Sequence, residues 1–264
     1  MKIKLAGSCY VPVLLVCALW MLPACSMTGR YAAAPQRPSF SSDTGTTAQG
    51  TIEAELGVAV DDQDQVDTPV TVKWGAGESS ELFLSWSPYV RLEGERDAVE
   101  GAGDVVVGTR YRFTDEGENT PSAAFQLAAK VPTADDQDGL GSGEVDFALA
   151  GIVTKVINTA TLVGYYEAGV LGVPSSGEVD IAHGIALAMG HPLLGRLNGF
   201  LEVAGVFIPD QDQSSVFSTL GAGYEWKTGL VLDSAVTIGL TDDASDLQFT
   251  IGTTINLGNL FAGR

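Results

Sequence analysis

The stretch Leu247-Gln248-Phe249-Thr250-Ile251-Gly252-Thr253-Thr254-Ile255-Asn256-Leu257 alternates with a period of two. Leu247, Phe249, Ile251, Ile255 and Leu257 fall on one face, and Gln248, Thr250, Thr254 and Asn256 on the other. Strict alternation over this length is the signature of a strand whose two faces meet different surroundings. The pattern recurs. Residues 49–60 set Ile52, Ala54, Leu56, Val58 and Val60 against Glu53 and Glu55, and residues 103–113 set Val105, Val107, Tyr111 and Phe113 against Asp104, Arg110 and Arg112. The face opposite the apolar one is mostly Gly, Ala, Ser and Thr with scattered charges.

Twelve such segments are expected, at 49–60, 67–75, 81–89, 103–114, 121–132, 145–155, 160–171, 180–190, 197–208, 214–226, 230–240 and 247–257. Their lengths suit tilted strands that cross a hydrocarbon layer, for which about 9–11 residues are needed. Their number is even, as in single-chain bacterial barrels. The expected fold is all-β: a transmembrane antiparallel up-and-down β-barrel of about twelve strands.

The connections agree. Alternate connections are longer and acidic: 61–64, 91–101, 134–144, 172–179, 209–213 and 241–246. The others, such as 75–80, 156–159 and 227–229, are mostly tight. Long outer loops and short inner turns are expected of outer-membrane barrels. Trp74, Phe113 and Trp226 fall at the inner ends of descending strands, on the outward face, and Trp86 and Phe207 near the opposite level. Two aromatic girdles belong where rings meet lipid head groups.

Composition narrows the function. Asp plus Glu number 33 against 14 Lys plus Arg, a net charge of −19. Nucleic-acid binding needs a basic face, so it is excluded as a partner. Charged residues are only 18% of the 264, and 32 residues are Gly, an unusual mix for a cytosolic enzyme.

The cysteines are Cys9, Cys17 and Cys25, all within the leader, so the main body has no disulfide, thiol nucleophile or zinc ligand set. Lys2 and Lys4 precede a short apolar run from Val11 to Leu22, as in a secretory signal. Leu22-Pro23-Ala24-Cys25-Ser26 resembles a lipoprotein box, which implies cleavage before Cys25 and acylation of its thiol; Ser26 at the next position implies outer-membrane sorting. Ordinary secretory cleavage nearby is the other reading. Loss of residues 1–24 removes two lysines and no acid, taking the net charge from −19 to −21. The expected organisation is a signal peptide at 1–24, a linker or loose tail at 25–48 with the option of occluding the barrel, and the barrel at 49–264.

Three loops share a motif spaced by 74 residues: Asp61-Asp62-Gln63-Asp64, Asp135-Asp136-Gln137-Asp138 and Pro209-Asp210-Gln211-Asp212. Asp135, Asp136 and Asp138 are weak calcium candidates, since hard cations take oxygen ligands, but no alternating ligand loop is present and solvated acidic loops are the plainer reading. No cofactor is expected, and no catalytic residue. His183 has the lipid-facing phase between Ile181 and Ile185, which keeps an outer-membrane lipid hydrolase as a minor alternative; His191 precedes Pro192 as a turn residue. Ionisable residues with the lumen phase are Glu53, Glu55, Lys73, Arg110, Arg112, Lys130, Asp146, Glu167, Glu202, Glu225 and Asp233. They either bind a permeant solute or pair with one another across the interior. Arg110, Arg112 and Lys130 are expected to form one positive stripe near Glu53, Glu55 and Asp146.

Three blocks carry a family resemblance. Gly103-Asp104-Val105-Val106-Val107-Gly108-Thr109-Arg110-Tyr111-Arg112-Phe113, the pair Lys130-Val131-Pro132-Thr133 and Gly139-Leu140-Gly141-Ser142-Gly143-Glu144-Val145-Asp146, and Trp74-Gly75 through Glu81-Leu82 resemble motifs of the outer-membrane transporter family associated with the meta-pathway of phenol degradation. The resemblance spans residues 50–257. It implies a monomeric barrel in the outer membrane of a Gram-negative cell that passes small aromatic or hydrophobic molecules, a role inferred for the family from gene context. The chain departs from the family in its lipoprotein box and in ending Leu260-Phe261-Ala262-Gly263-Arg264 without a terminal aromatic. The alternative function class is a non-transporting structural or adhesive surface barrel.

Overall fold

The computed structural model describes residues 31–94 and 97–259. The signal segment, Cys25 and the last five residues, Phe261 among them, lie outside the described residues. The strands are β1 (Thr51–Asp61), β2 (Val66–Asp67), β3 (Val70–Gly77), β4 (Ser80–Trp86), β5 (Val90–Leu92), β6 (Val99–Gly101), β7 (Val105–Thr114), β8 (Ser122–Val131), β9 (Asp146–Ile157), β10 (Ala160–Gly172), β11 (Val179–Leu194), β12 (Leu197–Ile208), β13 (Gln213–Lys227), β14 (Leu230–Gly239) and β15 (Leu247–Asn259).

Twelve of these, β1, β3, β4 and β7 to β15, pair antiparallel in chain order. β15 pairs back onto β1 from Thr51↔Asn259 to Asp61↔Gln248, so the barrel closes and leaves no open edge. The remaining three are short. β2 pairs with the end of β1, β5 with β2, and β6 with β5, forming a small flap beyond the rim. The sequence expects two longer strands at 67–75 and 81–89. The structure instead starts β3 at Val70 and ends β4 at Trp86, because residues 66–67 and 90–92 leave the wall to pair with each other.

One end of the barrel carries tight turns and the other carries loops. At the turn end Asn158-Thr159, Gly195-Arg196 and Thr228-Gly229 connect strands in two residues, with positive φ at Asn158, Gly195 and Gly229. Those are the backbone angles that two-residue hairpins require. At the loop end the shared acidic motifs shape their own turns. Asp61 Oδ1 accepts from the N–H groups of Gln63 and Gln65, and Asp135 Oδ1 from those of Gln137 and Asp138.

The two faces of the wall follow the alternation. Leu187, Leu220, Ile251, Phe147 and Leu149 point outward and are exposed. Trp74, Phe113 and Trp226 are exposed on the same outward side near the turn end. The inward face is polar on one side of the bore and apolar on the other. Glu53, Glu55, Lys73, Glu81, Arg110 and Asp233 are buried on β1, β3, β4, β7 and β14. Ala124, Ala150, Ile152, Tyr165, Ala186 and Ala204 form a buried cluster on β8 to β12. This inside-out arrangement, with the large apolar side chains on the outer surface and the charges within, suits a wall that meets hydrocarbon outside.

Candidate functional site in the barrel lumen

Residues 31–50 are threaded through the turn-end half of the bore. The segment enters beside β14, β15 and β1, where Asn256 Nδ2 donates to the Ala32 carbonyl at 3.2 Å. It crosses to the opposite wall at Phe40 and returns to the turn end, where Gly50 N–H donates to the Gly75 carbonyl at 2.7 Å.

Wall carboxylates hold its backbone. Glu53 accepts from Ala34 N–H at 2.9 Å and Glu55 from Gln36 N–H at 2.8 Å. Glu202 accepts from Phe40 N–H at 2.8 Å and Ser41 N–H at 2.9 Å, and also from the Ser41 hydroxyl. Glu81 accepts from Thr47 N–H at 2.7 Å. The wall cations hold the segment's carbonyls: Lys73 Nζ donates to Ala34 O at 2.6 Å, and Arg110 to Gly45 O at 3.1 Å. Among the described residues the buried charged ones are five acids, Glu53, Glu55, Glu81, Glu202 and Asp233, and two bases, Lys73 and Arg110. A buried charge must be paired or hydrogen-bonded. The segment supplies that solvation in the form of N–H groups, and adds Arg37, which faces Asp233 at 3.6 Å.

On the apolar wall the segment presents an aromatic ring. Phe40 meets Tyr165 and Phe217 edge to face, with centroids 5.9 and 5.6 Å apart. Gly184 makes room for it, since a β-carbon there would stand 3.2 Å from the Phe40 ring. The segment does not fill the bore. A cavity of about 280 Å³ remains between Pro35–Ser41 and strands β10 to β13.

The lumen candidates divide into groups by height. Lys73 joins Glu53 at 2.5 Å and Glu55 at 2.7 Å. Arg110 pairs with Glu81 at 3.3 Å and donates to Gln126 at 2.7 Å. Arg112 sits at the turn end against Asp115 at 2.8 Å. Lys130 lies toward the loop end between Asp146 at 2.6 Å and Asp104 at 3.5 Å. Arg110, Arg112 and Lys130 face inward along one strip of the β7–β8 wall, at three levels and each beside a different acid, with Asp146 next to Lys130. Glu167 accepts from the Tyr165 hydroxyl at 2.6 Å. Glu225 keeps the inward phase between exposed Tyr224 and Trp226. Glu81 was assigned no role in the sequence because it stands at a strand's first residue, and Arg37 because the tail has no period to give it a face.

Asp135, Asp136 and Asp138 lie in the loop between β8 and β9; among the described residues no group of three or more His, Cys, Asp or Glu side chains is placed to hold a metal ion. His183 lies on the outer face, stacked on Tyr166, whose hydroxyl is 2.9 Å from its Nδ1. His191 contacts the Thr159 hydroxyl at 2.9 Å.

No family model and no curated protein matches the chain. Solved structures do. The COG4313 outer membrane channel from Pseudomonas putida F1 superposes with a TM-score of 0.64 at 12% identity, covering 83% of this chain and 100% of that one. The fold is that of outer-membrane barrels. The NanC porin (TM-score 0.55, 8% identity) and the KdgM porin (0.53, 7%) each match 77% of this chain and 98% of their own. The phenol-pathway part of the resemblance rests on the sequence motifs alone.

Proposed function

We propose that the chain is a monomeric outer-membrane channel for small solutes in a Gram-negative cell, held shut at rest by residues 31–50. The observation that carries this reading is the capture of five backbone N–H groups of that segment by Glu53, Glu55, Glu81 and Glu202. These contacts are reversible hydrogen bonds with no covalent tie, so the segment is a removable closure. The barrel fold and the apolar outer band support the membrane location. The ring seat of Phe40 on Tyr165 and Phe217 supports passage of aromatic or hydrophobic molecules once the segment withdraws. We also propose that Cys25 is acylated. Tyr31 lies at the turn end, beside Gly229, which is the side where a lipid anchor would attach.

The test is conductance in planar bilayers of the full mature chain against a variant lacking residues 26–47. The full chain is expected to open rarely and the deletion variant persistently. The segment seated in the bore also favours a second reading, a structural or adhesive barrel that transports nothing. Silence from a correctly folded deletion variant would establish that reading and remove the channel.

A further inference from the structure

Three inward residues stand in one row across the seam where the barrel closes. Asp233 on β14 is directly opposite Gly252 on β15, and Gly252 is directly opposite Gly57 on β1. The row is thus one buried carboxylate beside two strips of bare backbone. Glycine inside a strand marks a place where another group approaches closely. Here that group is the guanidinium of Arg37. A β-carbon on Gly57 would collide with the guanidinium carbon and both terminal nitrogens together, which means the plane lies face-on over that residue. A β-carbon on Gly252 would stand 2.7 Å from both Nε and Nη2. Nη2 also donates to the Ile251 carbonyl at 3.4 Å.

Asp233 is the second observation. Its side chain is 1% exposed, yet neither oxygen has a hydrogen-bond partner, and its nearest cation is Arg37 at 3.6 Å. A carboxylate this deep without a bonded partner is left short of its full complement. A flat slot one guanidinium thick, with an acid at its edge, matches a planar, weakly hydrated cation better than a compact, strongly hydrated ammonium.

We propose that the β14–β15–β1 seam is a binding site for a guanidinium-bearing solute, filled in cis by Arg37 in the closed state. The site is geometric and does not depend on conduction. A free guanidinium compound takes it when Arg37 is absent or withdrawn.

The test is a ligand-observed NMR titration of methylguanidinium, with methylammonium as the control, into the micelle-folded full chain. Heat-modifiable gel migration confirms that each variant is folded. Arg37→Ala is expected to bind methylguanidinium saturably and at least about tenfold more tightly than methylammonium, a preference of the size that one charge-assisted contact gives. The unsubstituted chain, with its slot occupied, is expected to bind weakly. Gly57→Ala in the Arg37→Ala background is expected to lose the preference. The three atoms nearest to a β-carbon at Gly57 all belong to Arg37, so the Arg37→Ala background removes the closest contacts of the added methyl, and gel migration checks that the double variant folds. Asp233→Asn in the same background is expected to weaken binding by about tenfold or more. If Arg37→Ala does not fold, Arg37→Gln takes its place. Equal affinity for the two cations, no saturable binding, or a Gly57→Ala variant that keeps the preference would each overturn the site. Because no current is measured, a barrel that never conducts leaves this result intact.

Discussion

The Glu202 carboxylate bridges two consecutive N–H groups of the luminal segment, Oε1 accepting from Phe40 at 2.8 Å and Oε2 from Ser41 at 2.9 Å. Glu202 is fully buried at mid-wall on β12, so this pair of bonds fixes how far the segment reaches into the bore. Glu202→Gln keeps the shape but turns one acceptor into a donor facing an N–H. Leaving such buried groups unmatched costs about 1–3 kcal/mol. The variant is expected to fold as a barrel while the 31–50 segment becomes roughly tenfold or more susceptible to protease. Unchanged proteolysis would show that Glu202 does not hold the segment.

Leu187 lies in the middle of β11, outward-facing and 70% exposed. Leu187→Arg puts a charge into hydrocarbon, at a cost of about 2–4 kcal/mol near the bilayer midplane. Refolding into vesicles should show that loss in a urea titration, whereas Thr219→Val, on the inward face, should show much less. The reverse order would mean the two faces of the wall have been exchanged.

The loops at 62–65, 134–145 and 209–212 share one end of the barrel. Single cysteines at Gln63, Gln137 and Gln211 should each react with an impermeant thiol reagent on intact cells. Labelling only after the outer membrane is broken would invert the orientation.

Glu116 lies in the turn-end connection between β7 and β8. The Val156 N–H donates to its carboxylate at 2.8 Å, and Lys155 stands 3.2 Å away. These contacts favour the ionised form and hold its pKa below the ordinary 4.5, the backbone hydrogen bond being the larger cause. A group with a lowered folded-state pKa contributes stability above its ordinary value and loses it as pH falls through the folded value. A carboxyl-carbon NMR titration should place Glu116 below 4.5, and Glu116→Gln should remove its share of the acid dependence. A midpoint at or above 4.5 would discard the bond.

The wall was legible in the sequence because a barrel strand has one physical requirement, alternation, and Leu247 to Leu257 or Val105 to Phe113 satisfies it residue by residue. The same alternation put Glu53, Glu55, Lys73, Arg110, Glu202 and Asp233 on the lumen side. It could not say which of them meet, because height in the bore depends on stagger between strands. That is why the alternation does not name Glu81 as the partner of Arg110. The luminal path of residues 31–50 had no periodic signal at all. Its conformation is set by N–H groups, which every residue but proline carries, so side-chain identity reveals little. Arg37 and Phe40 are chemically distinctive there, and each is explained by glycines far away in sequence, Gly57 and Gly252 for one and Gly184 for the other.

The seam row has a consequence for the order of assembly. Half of the Arg37 slot belongs to the first strand of the barrel and half to the last, some 195 residues later in the chain. Before β15 zips onto β1 there is no slot, only two separate strand edges. The N-terminal segment leaves the export machinery first, yet the seat of its Arg37 comes into being last. Seating of Arg37 is therefore coupled to completion of the wall: a barrel that stalls one strand short leaves Arg37 unseated, and a seated Arg37 certifies a closed barrel.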